Sequence, residues 1–344
     1  MAITKWFFSK KDMLVDSCLE AESATLDLEK LPEEERQALF APAEGKQVQD
    51  AAATVTGLSY WHSTFTSFRR NKTAMVMLGV LTVLLIFAMI QPLLPGQYGP
   101  NLVHNDPETG LQLMNCPPCK DFWLGTNRIG QDLWSRIWAG TRTSLFIGFS
   151  VAAIQCGIGL LVGLIWGYAR RLDGLFTEIY NVMTNIPSTI IMMLSSYILR
   201  PGVGTIIIAM CATGWLGVAR FVRNQVMIIR DLEFNRASRC LGSSFMGILF
   251  RNLLPHTVSV IALQFVLAIP AAIGGEVFLT YIGLGLQAEY PSLGNLINTG
   301  RMLIMSPSLR YQFYFPCIVL SVITVCFYIV GNAFADAANP KNHK

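Results

Sequence analysis

Six long apolar segments constrain the fold of this chain more than any other feature of its sequence. They lie at about 73–95, 143–168, 176–199, 203–219, 258–286 and 313–335. Each approaches the length of about 20 apolar residues that a helix needs to cross the hydrocarbon core of a bilayer. Charged residues are only 14% of the chain, well below the roughly 25% of soluble domains. The sequence therefore predicts an all-α integral membrane protein with six transmembrane helices.

Positive charges predict the orientation of these spans. Arg69 and Arg70 precede the first span, Arg171 follows the second, and six arginines lie between the fourth and the fifth. With six spans these residues share one side, and an excess of lysine and arginine marks the cytoplasmic side. Both termini are therefore predicted to be cytoplasmic, in a multi-pass protein of the cytoplasmic (inner) membrane. The small net charge of +4 is spread along the chain and does not indicate nucleic-acid binding.

The spans divide the chain into predicted regions. Residues 1–60 are polar and acid-rich, which is typical of a mobile cytoplasmic segment. The other regions follow in order: a first transmembrane helix with a basic flank at 61–95, an extracytoplasmic loop at 96–140, a transmembrane domain of five helices at 141–336 that contains a basic cytoplasmic loop at 220–256, and a cytoplasmic tail at 337–344.

A short segment of that basic loop, NRASRCLGSSFMGILFRNLLPH at 235–256, separates two apolar spans. Residues 234–249 have the spacing of an amphipathic helix. Gly242 allows a turn within it, and Pro255 marks the entry to the fifth span. Two interpretations fit: a helix lying on lipid headgroups, or a docking helix for a cytoplasmic partner. The predicted apolar face would carry Phe234, Ala237, Leu241, Phe245 and Ile248.

The same segment resembles the cytoplasmic loop motif of permeases from binding-protein-dependent ABC importers. That motif runs Glu-Ala-Ala, three residues, Gly, nine residues, Ile, one residue, Leu-Pro. The positions that match in identity and spacing are Ala237, Gly242, Leu254 and Pro255. Arg236, Ser238 and Asn252 replace the glutamate, the second alanine and the isoleucine.

Further blocks resemble the second, C-type, permease subunit of dipeptide, oligopeptide and nickel importers. The resemblance covers about residues 61–340, with the blocks in the expected order. They are FWLGTNRIGQDLWSRIWAGTRTSLFIGF (122–149), WLGVARFVRNQV (215–226), FLTYIGLGLQAEYPSLGNLINTGR (278–301) and NAFADAANP (332–340).

This resemblance implies a type I ABC importer permease fold and a complex in which different subunits bind the substrate, translocate it and hydrolyse ATP. The chain would translocate peptides by alternating access, with nickel chelates or glutathione-like compounds as alternative substrates. It would pair with a second homologous permease, two ATPase subunits that use ATP and Mg, and an extracytoplasmic peptide-binding protein that meets loops 96–142 and 287–311. A coupling helix would dock on an ATPase through Arg236, Ala237, Ser238, Arg239, Leu241, Gly242, Leu254 and Pro255.

The chain itself carries no Gly-x-x-x-x-Gly-Lys-Ser/Thr motif for nucleotide phosphates. ATP hydrolysis is therefore predicted to lie in partner subunits, and this chain is predicted to bind no cofactor or metal and to catalyse no reaction. An intramembrane enzyme is disfavoured because the four histidines lie outside the predicted spans. A secondary transporter driven by an ion gradient would show internal repeats and ion ligands on broken helices, and neither pattern is evident.

Polar residues and glycines within the spans are further candidates. Glu276 is costly in a membrane and indicates either a bond to another helix or a place lining the pathway. Asn185 and Pro187 predict a kink, for packing or for the pathway. The doubled G-x-x-x-G of Gly159, Gly163 and Gly167 allows close helix packing, within this subunit or against the partner permease.

A pair of cysteines, Cys116 and Cys119, forms CPPC in the predicted extracytoplasmic loop. That compartment is oxidising in many organisms. The pair therefore indicates a local disulfide, with free thiols as the alternative.

Overall fold

The computed structural model describes residues 57–199, 202–287 and 289–338. The predicted acid-rich segment lies outside the described residues except for its last four positions, and so does most of the predicted C-terminal tail. The chain divides into two units, Met1–Trp61 and His62–Lys344, and of the first unit only Gly57–Trp61 are described.

Helices form most of the described chain. Five of them, α2, α3, α6, α9 and α11, are long and apolar enough to cross a membrane, so the prediction of an all-α membrane protein is confirmed. In chain order the helices are α1 (Gly57–Arg70), α2 (Lys72–Ile90), α3 (Leu133–Tyr168), α4 (Asp173–Asn185), α5 (Ser188–Ile198), α6 (Val203–Ile229), α7 (Glu233–Cys240), α8 (Phe245–Ile248), α9 (Leu254–Tyr281), α10 (Leu293–Arg301) and α11 (Tyr311–Ala338).

The third predicted span, 176–199, is two helices rather than one. α4 ends at Asn185, and Pro187 caps the start of α5. Proline lacks an N–H and disfavours helical backbone in the residue before it. That residue, Ile186, is accordingly extended, with ψ of 122°. The two helices have 13 and 11 residues, each less than the about 20 needed to span a bilayer.

The second span starts earlier than predicted. α3 begins at Leu133, not at 143, and the side chain of Asp132 accepts a hydrogen bond from the backbone N–H of Ser135. An aspartate in this capping position satisfies one of the free N–H groups at the start of a helix. Residues 133–140, which the sequence had placed in the extracytoplasmic loop, are therefore part of α3.

The fourth span extends further than predicted. α6 continues past 219 to Ile229, so it includes two arginines that the sequence had placed in the loop. Arg223 donates to both carboxylate oxygens of Asp173, at 2.7 and 3.0 Å. The guanidinium of Arg220 lies over the ring of Tyr180, 4.8 Å from its centre. Because α4 supplies partners for both charges, the helix continues, and the basic loop begins only after Ile229.

Helices α3 and α6 pack closely against each other. A Cβ placed at Gly159 or Gly167 would lie 2.6 or 2.7 Å from a valine side chain of α6. One placed at Gly163 would lie 2.5 Å from the carbonyl oxygen of Ala219. The doubled G-x-x-x-G thus serves packing within this chain, since only glycine permits this approach.

The other side of α3 packs on α9, α10 and α11. This contact forms a core in which the central side chains are almost completely buried. They include Leu133 and Ile137 of α3, Ile273 of α9, Leu293 of α10 and Ile323 of α11. Each such side chain contributes about 1.5–3 kcal/mol when it leaves water, so α10 is held against the spans although it is too short to be one.

The loop between α2 and α3 folds against the start of α11. The hydroxyl of Tyr311 donates to the carbonyl of Cys116 at 2.8 Å. Gln312 donates to the side chain of Asn115 at 2.9 Å, and an antiparallel bridge pairs Val103 with Gln131. We call the end of the bundle that carries this loop the outer end, and the opposite end the inner end.

Candidate coupling segment and buried polar sites

The segment that joins α6 to α9 forms two short helices, not the single helix predicted over 234–249. We call residues 230–255 the coupling segment. α7 ends at Cys240, and Gly242 then turns the chain with a φ of +80°. Residues with a Cβ are strained in this left-handed conformation, which explains the break. Leu241 lies in this turn, after the end of α7, and is 86% exposed, so the prediction that one helix carries it together with Phe245 and Ile248 is wrong.

Asn235 anchors α7 to the rest of the molecule. Its side chain is fully buried, donates to the carbonyl of Ile229 at 2.9 Å and accepts from the amide of Asn252 at 2.9 Å. Asn252 also lies 3.3 Å from the hydroxyl of Ser238. Buried polar groups that satisfy one another in this way fix a single geometry. α7 is thereby fixed to the end of α6 and to the turn before α9.

Apolar side chains of the coupling segment complete this attachment. Ile248, Leu249 and Leu253 come from α8 and from the π-helical turn Leu249–Leu253, and each is at most 2% exposed. They pack in one cluster with Leu164 of α3 and Val226 of α6. This core is therefore continuous with the inner ends of two spans.

The coupling segment also presents a group of exposed side chains. Its exposed apolar members are Phe234, Leu241, Phe245, Met246 and Phe250. Arg236, Ala237 and Arg239 are exposed as well, whereas Ser238 is half-buried. Leu254 and Pro255 form the first turn of α9, half-buried and exposed respectively. A group of exposed apolar and basic side chains on one short element is typical of a surface that binds another protein or a membrane.

The carboxylate of Asp231 forms ion pairs with three arginines at the inner end. Its oxygens lie 2.9 Å from Arg170, 3.3 Å from Arg230 and 3.7 Å from Arg239. Arg230 also donates to the carbonyl of Gly167 at 2.6 Å. Burial alone would raise the pKa of Asp231, but hydrogen bonds and charge from Arg230 and Arg170 outweigh it and lower the pKa. The carboxylate is therefore ionised at neutral pH and links α3 to the coupling segment.

Glu276 lies at the centre of a second polar group, near the outer end. Its side chain is fully buried. The carboxylate accepts hydrogen bonds from Ser144 at 3.2 Å, Thr280 at 3.1 Å and Ser292 at 2.8 Å. These hydroxyls belong to α3, to α9 and to the N-cap of α10. Of the two alternatives for Glu276, this geometry favours the bond to another helix.

Small residues allow α10 to approach this carboxylate. A Cβ at Gly294 would lie 2.8 Å from a carboxylate oxygen of Glu276. A Cβ at Gly140 of α3 would lie 2.9 Å from the backbone of Ser292. The start of α10 therefore fits directly against α3 and α9, and a carboxylate at the N-terminus of a helix is also favoured by the helix dipole.

The remaining candidates from the sequence lie apart from these groups. Asn185 is exposed and donates to the carbonyl of Asn181 at 2.8 Å, and Pro187 is the residue just before α5. Cys116 and Cys119 are free thiols in this structure, so a disulfide between them stays a prediction. Within the described ranges no group of three histidine, cysteine, aspartate or glutamate side chains could hold a metal ion.

The sequence did not single out Asn235 or Asp231 for the roles that the structure gives them. Both look like ordinary polar residues in a basic loop. Their partners, Asn252 and Arg170, are 17 and 61 residues away, so no local spacing could indicate the pairs.

Two protein-family models match the chain. Residues 159–344, more than half of the sequence, match the family described as "Binding-protein-dependent transport system inner membrane component". Residues 59–118 match the "N-terminal TM domain of oligopeptide transport permease C". Together these matches include α2, the coupling segment and the helices that follow it.

Curated relatives match over most of their own length. The dipeptide transport system permease protein DppC of Bacillus subtilis is 36% identical over 83% of this chain and 87% of its own. The oligopeptide transport system permease protein AmiD of Streptococcus pneumoniae is 34% identical over 83% and 91%. The oligopeptide transport system permease protein OppC of Bacillus subtilis is 33% identical over 89% and 98%.

Among solved structures, an inward-facing MetNI methionine ABC transporter chain matches 60% of this chain and 96% of its own. The TM-score is 0.49 at 19% identity, a much weaker likeness than the sequence relationships.

Proposed function

The chain belongs to the family of binding-protein-dependent transport system inner membrane components, and we propose that it is a permease subunit of an ABC importer that moves peptides across the cytoplasmic membrane. The resemblance to C-type permeases inferred from the sequence is confirmed by the family matches and the relatives. The relatives are named for dipeptide and oligopeptide transport, which supports peptides over nickel chelates or glutathione-like compounds.

The observation that carries this proposal is the attachment of the coupling segment. Asn235 and the buried Ile248 and Leu253 join it to the inner ends of the spans, while Leu241 and Met246 remain exposed. A partner that grips the exposed side could therefore move the spans through the buried side. In the proposed mechanism, partner ATPases supply this movement when they bind ATP with Mg, and the spans alternate between outward and inward access.

The other proposed partners come from the family to which the chain belongs. The outer loop of residues 96–132 and the region of α10 would meet an extracytoplasmic peptide-binding protein, and a second, homologous permease would complete the pathway. The inner end would face the cytoplasm, with both termini on that side, as the arginines of the coupling segment favour. The chain itself would catalyse no covalent step.

The test is a substitution in the turn of the coupling segment. Gly242→Trp places a large side chain in the turn beside Leu241, where a Cβ meets no heavy atom within 4 Å. We expect the complete complex of both permeases, the ATPases and the binding protein to assemble, but to lose peptide-stimulated ATP hydrolysis and peptide uptake. Both are measured after reconstitution in vesicles.

Gly283→Trp is the matched control for this experiment. Gly283 also has a positive φ, +85°, and open space around it, but it lies just after α9 and outside the coupling segment, the loop 96–132 and α10. We expect this variant to keep stimulated hydrolysis. If Gly242→Trp leaves stimulation and uptake normal, the coupling segment does not dock on an ATPase and the proposed mechanism is wrong.

A further inference from the structure

A cavity of about 320 Å³ lies at the inner end, between the end of α3 and the coupling segment. Two aromatic side chains, Tyr168 and Phe245, line it with their ring centres 4.8 Å apart. Four arginines complete the lining together with Ala169: Arg170, Arg171, Arg230 and Arg239. The cavity is therefore basic and partly apolar at once.

The charges of this cavity are not balanced within it. Four guanidinium groups line it, and the carboxylate that bridges three of them is Asp231. One carboxylate has two oxygens, with about four lone-pair sites, whereas each guanidinium carries five N–H donors. Backbone carbonyls of Gly167, Asn235 and Arg230 accept further hydrogen bonds from Arg230 and Arg239. The cluster still has an excess of positive charge and of hydrogen-bond donors. Arginine binds phosphate oxygens with two parallel hydrogen bonds, so a phosphate group fits this excess.

The cavity lies where the apolar spans end. α3 ends at Tyr168 and α6 at Ile229, so Arg170 and Arg230 follow the last helical residues by two and one positions. We place the headgroup region at this level because the apolar sequence of both helices ends here and arginines follow it. Basic pockets between transmembrane helices at this level bind anionic lipid headgroups. The aromatic rings supply a surface for the glycerol and the first acyl carbons.

From this arrangement we propose that the cavity binds the phosphate headgroup of an anionic phospholipid. An inorganic phosphate ion would use the guanidinium groups alone and would leave the aromatic side of the cavity unused. A phospholipid uses both. Its headgroup would bridge Arg170 and Arg171, which follow α3, to Arg239 of the coupling segment. The lipid would therefore connect the same two elements that Asp231 already connects.

Binding is measured by native mass spectrometry on the delipidated importer complex, titrated with phosphatidylglycerol or with phosphatidylcholine of equal chain length. We expect the anionic lipid to bind at lower concentration than the neutral one. Arg170→Gln combined with Arg171→Gln should weaken phosphatidylglycerol binding by roughly 10- to 30-fold. Arg171→Gln alone leaves the bridges to Asp231 in place and should show part of the loss, so the test does not depend on the double variant folding normally.

The matched control is Arg69→Gln with Arg70→Gln, which removes two exposed arginines from the end of α1. Its phosphatidylglycerol affinity should stay within about twofold of the parent. An equal loss in both double variants would show a general effect of positive charge and would overturn the proposal. Displacement of the lipid by millimolar inorganic phosphate would also overturn it, because the site would then be one for soluble anions. Lipid binding is scored without any transport assay, so its failure is distinguishable from a failure of the proposed transport function.

Discussion

At the scale of single residues, Gly163 shows how little room the contact between α3 and α6 leaves. A Cβ at this position would lie 2.5 Å from the carbonyl oxygen of Ala219 and 2.6 Å from the Cβ of Val222. Both are parts of the neighbouring helix that cannot rotate away. A single added methyl group must therefore push the two helices apart.

We expect Gly163→Ala to lower the thermal stability of the purified protein. Overpacking costs about 1–3 kcal/mol, which exceeds the gain of about 1 kcal/mol from replacing glycine by alanine in a helix. The melting temperature in detergent measures the difference. Gly157→Ala is the matched control, because Gly157 is in the same helix but has no heavy atom within 4 Å of an added Cβ. This variant should melt at the same temperature as the parent or higher. A lower melting temperature for Gly157→Ala alone would contradict the packing argument.

At the scale of elements, α10 depends on a group that lies outside it. Glu276 of α9 accepts from Ser292, which caps α10, and from Ser144 of α3. Ser144 in turn accepts from the backbone N–H of Leu293 at 3.2 Å. The start of α10 is thus positioned by two side chains from the spans.

We expect Glu276→Leu to loosen α10 while the spans remain folded. The substitution leaves three buried hydroxyls without their acceptor, and each buried unsatisfied group costs about 1–3 kcal/mol. Hydrogen exchange of the amides at 293–301 should become faster, whereas exchange at 145–165 in α3 should stay slow. Glu289→Leu is the control, since Glu289 is an exposed residue between α9 and α10. Unchanged exchange in α10 would show that Glu276 does not position this helix.

Whether the sequence could predict an element depended on the range of the interactions that form it. The long apolar runs of α2, α3, α9 and α11 identified those spans, because length and composition are local properties. Pro187 also indicated where the chain is interrupted between α4 and α5, because the effect of proline on the backbone is local. The split of the coupling segment at Gly242 was only half predicted, since a glycine permits a turn without requiring one. The anchoring of α7 by Asn235 depends on Asn252, and such a tertiary partner is not visible in the sequence.

At the scale of the whole molecule, two acidic residues at the inner end contribute to the pH dependence of stability. The hydrogen bond from Arg223 lowers the pKa of Asp173, and the pKa of Asp231 is also lowered. A carboxyl group whose pKa is lower in the folded state stabilises that state fully above its unfolded pKa of about 4. The contribution disappears as the pH falls through the lower folded value.

We therefore expect the melting temperature in detergent to be nearly constant from pH 8 to pH 5 as far as these two residues determine it, and to fall at more acidic pH. Asp173→Asn should lower the free energy of unfolding at neutral pH by about 1 kcal/mol, as expected for a partly exposed ion pair, and so lower the melting temperature. Its deficit relative to the parent should shrink below about pH 4. Asp121→Asn, at an exposed position of the outer loop, should match the parent throughout. A deficit for Asp173→Asn that stays constant at acidic pH would contradict the ion-pair argument.

The length of α3 has a mechanical consequence. Its 36 residues extend over about 54 Å at 1.5 Å per residue, whereas the hydrocarbon core of a bilayer is about 30 Å thick. One uninterrupted rod thus reaches from the outer loop to the arginines of the inner end. Because the helix has no hinge, a change of its tilt at one membrane surface would shift its other end as well. A change of tilt at the outer loop would therefore also move Gly167 and Tyr168, which contact Arg230 and Phe245 of the coupling segment.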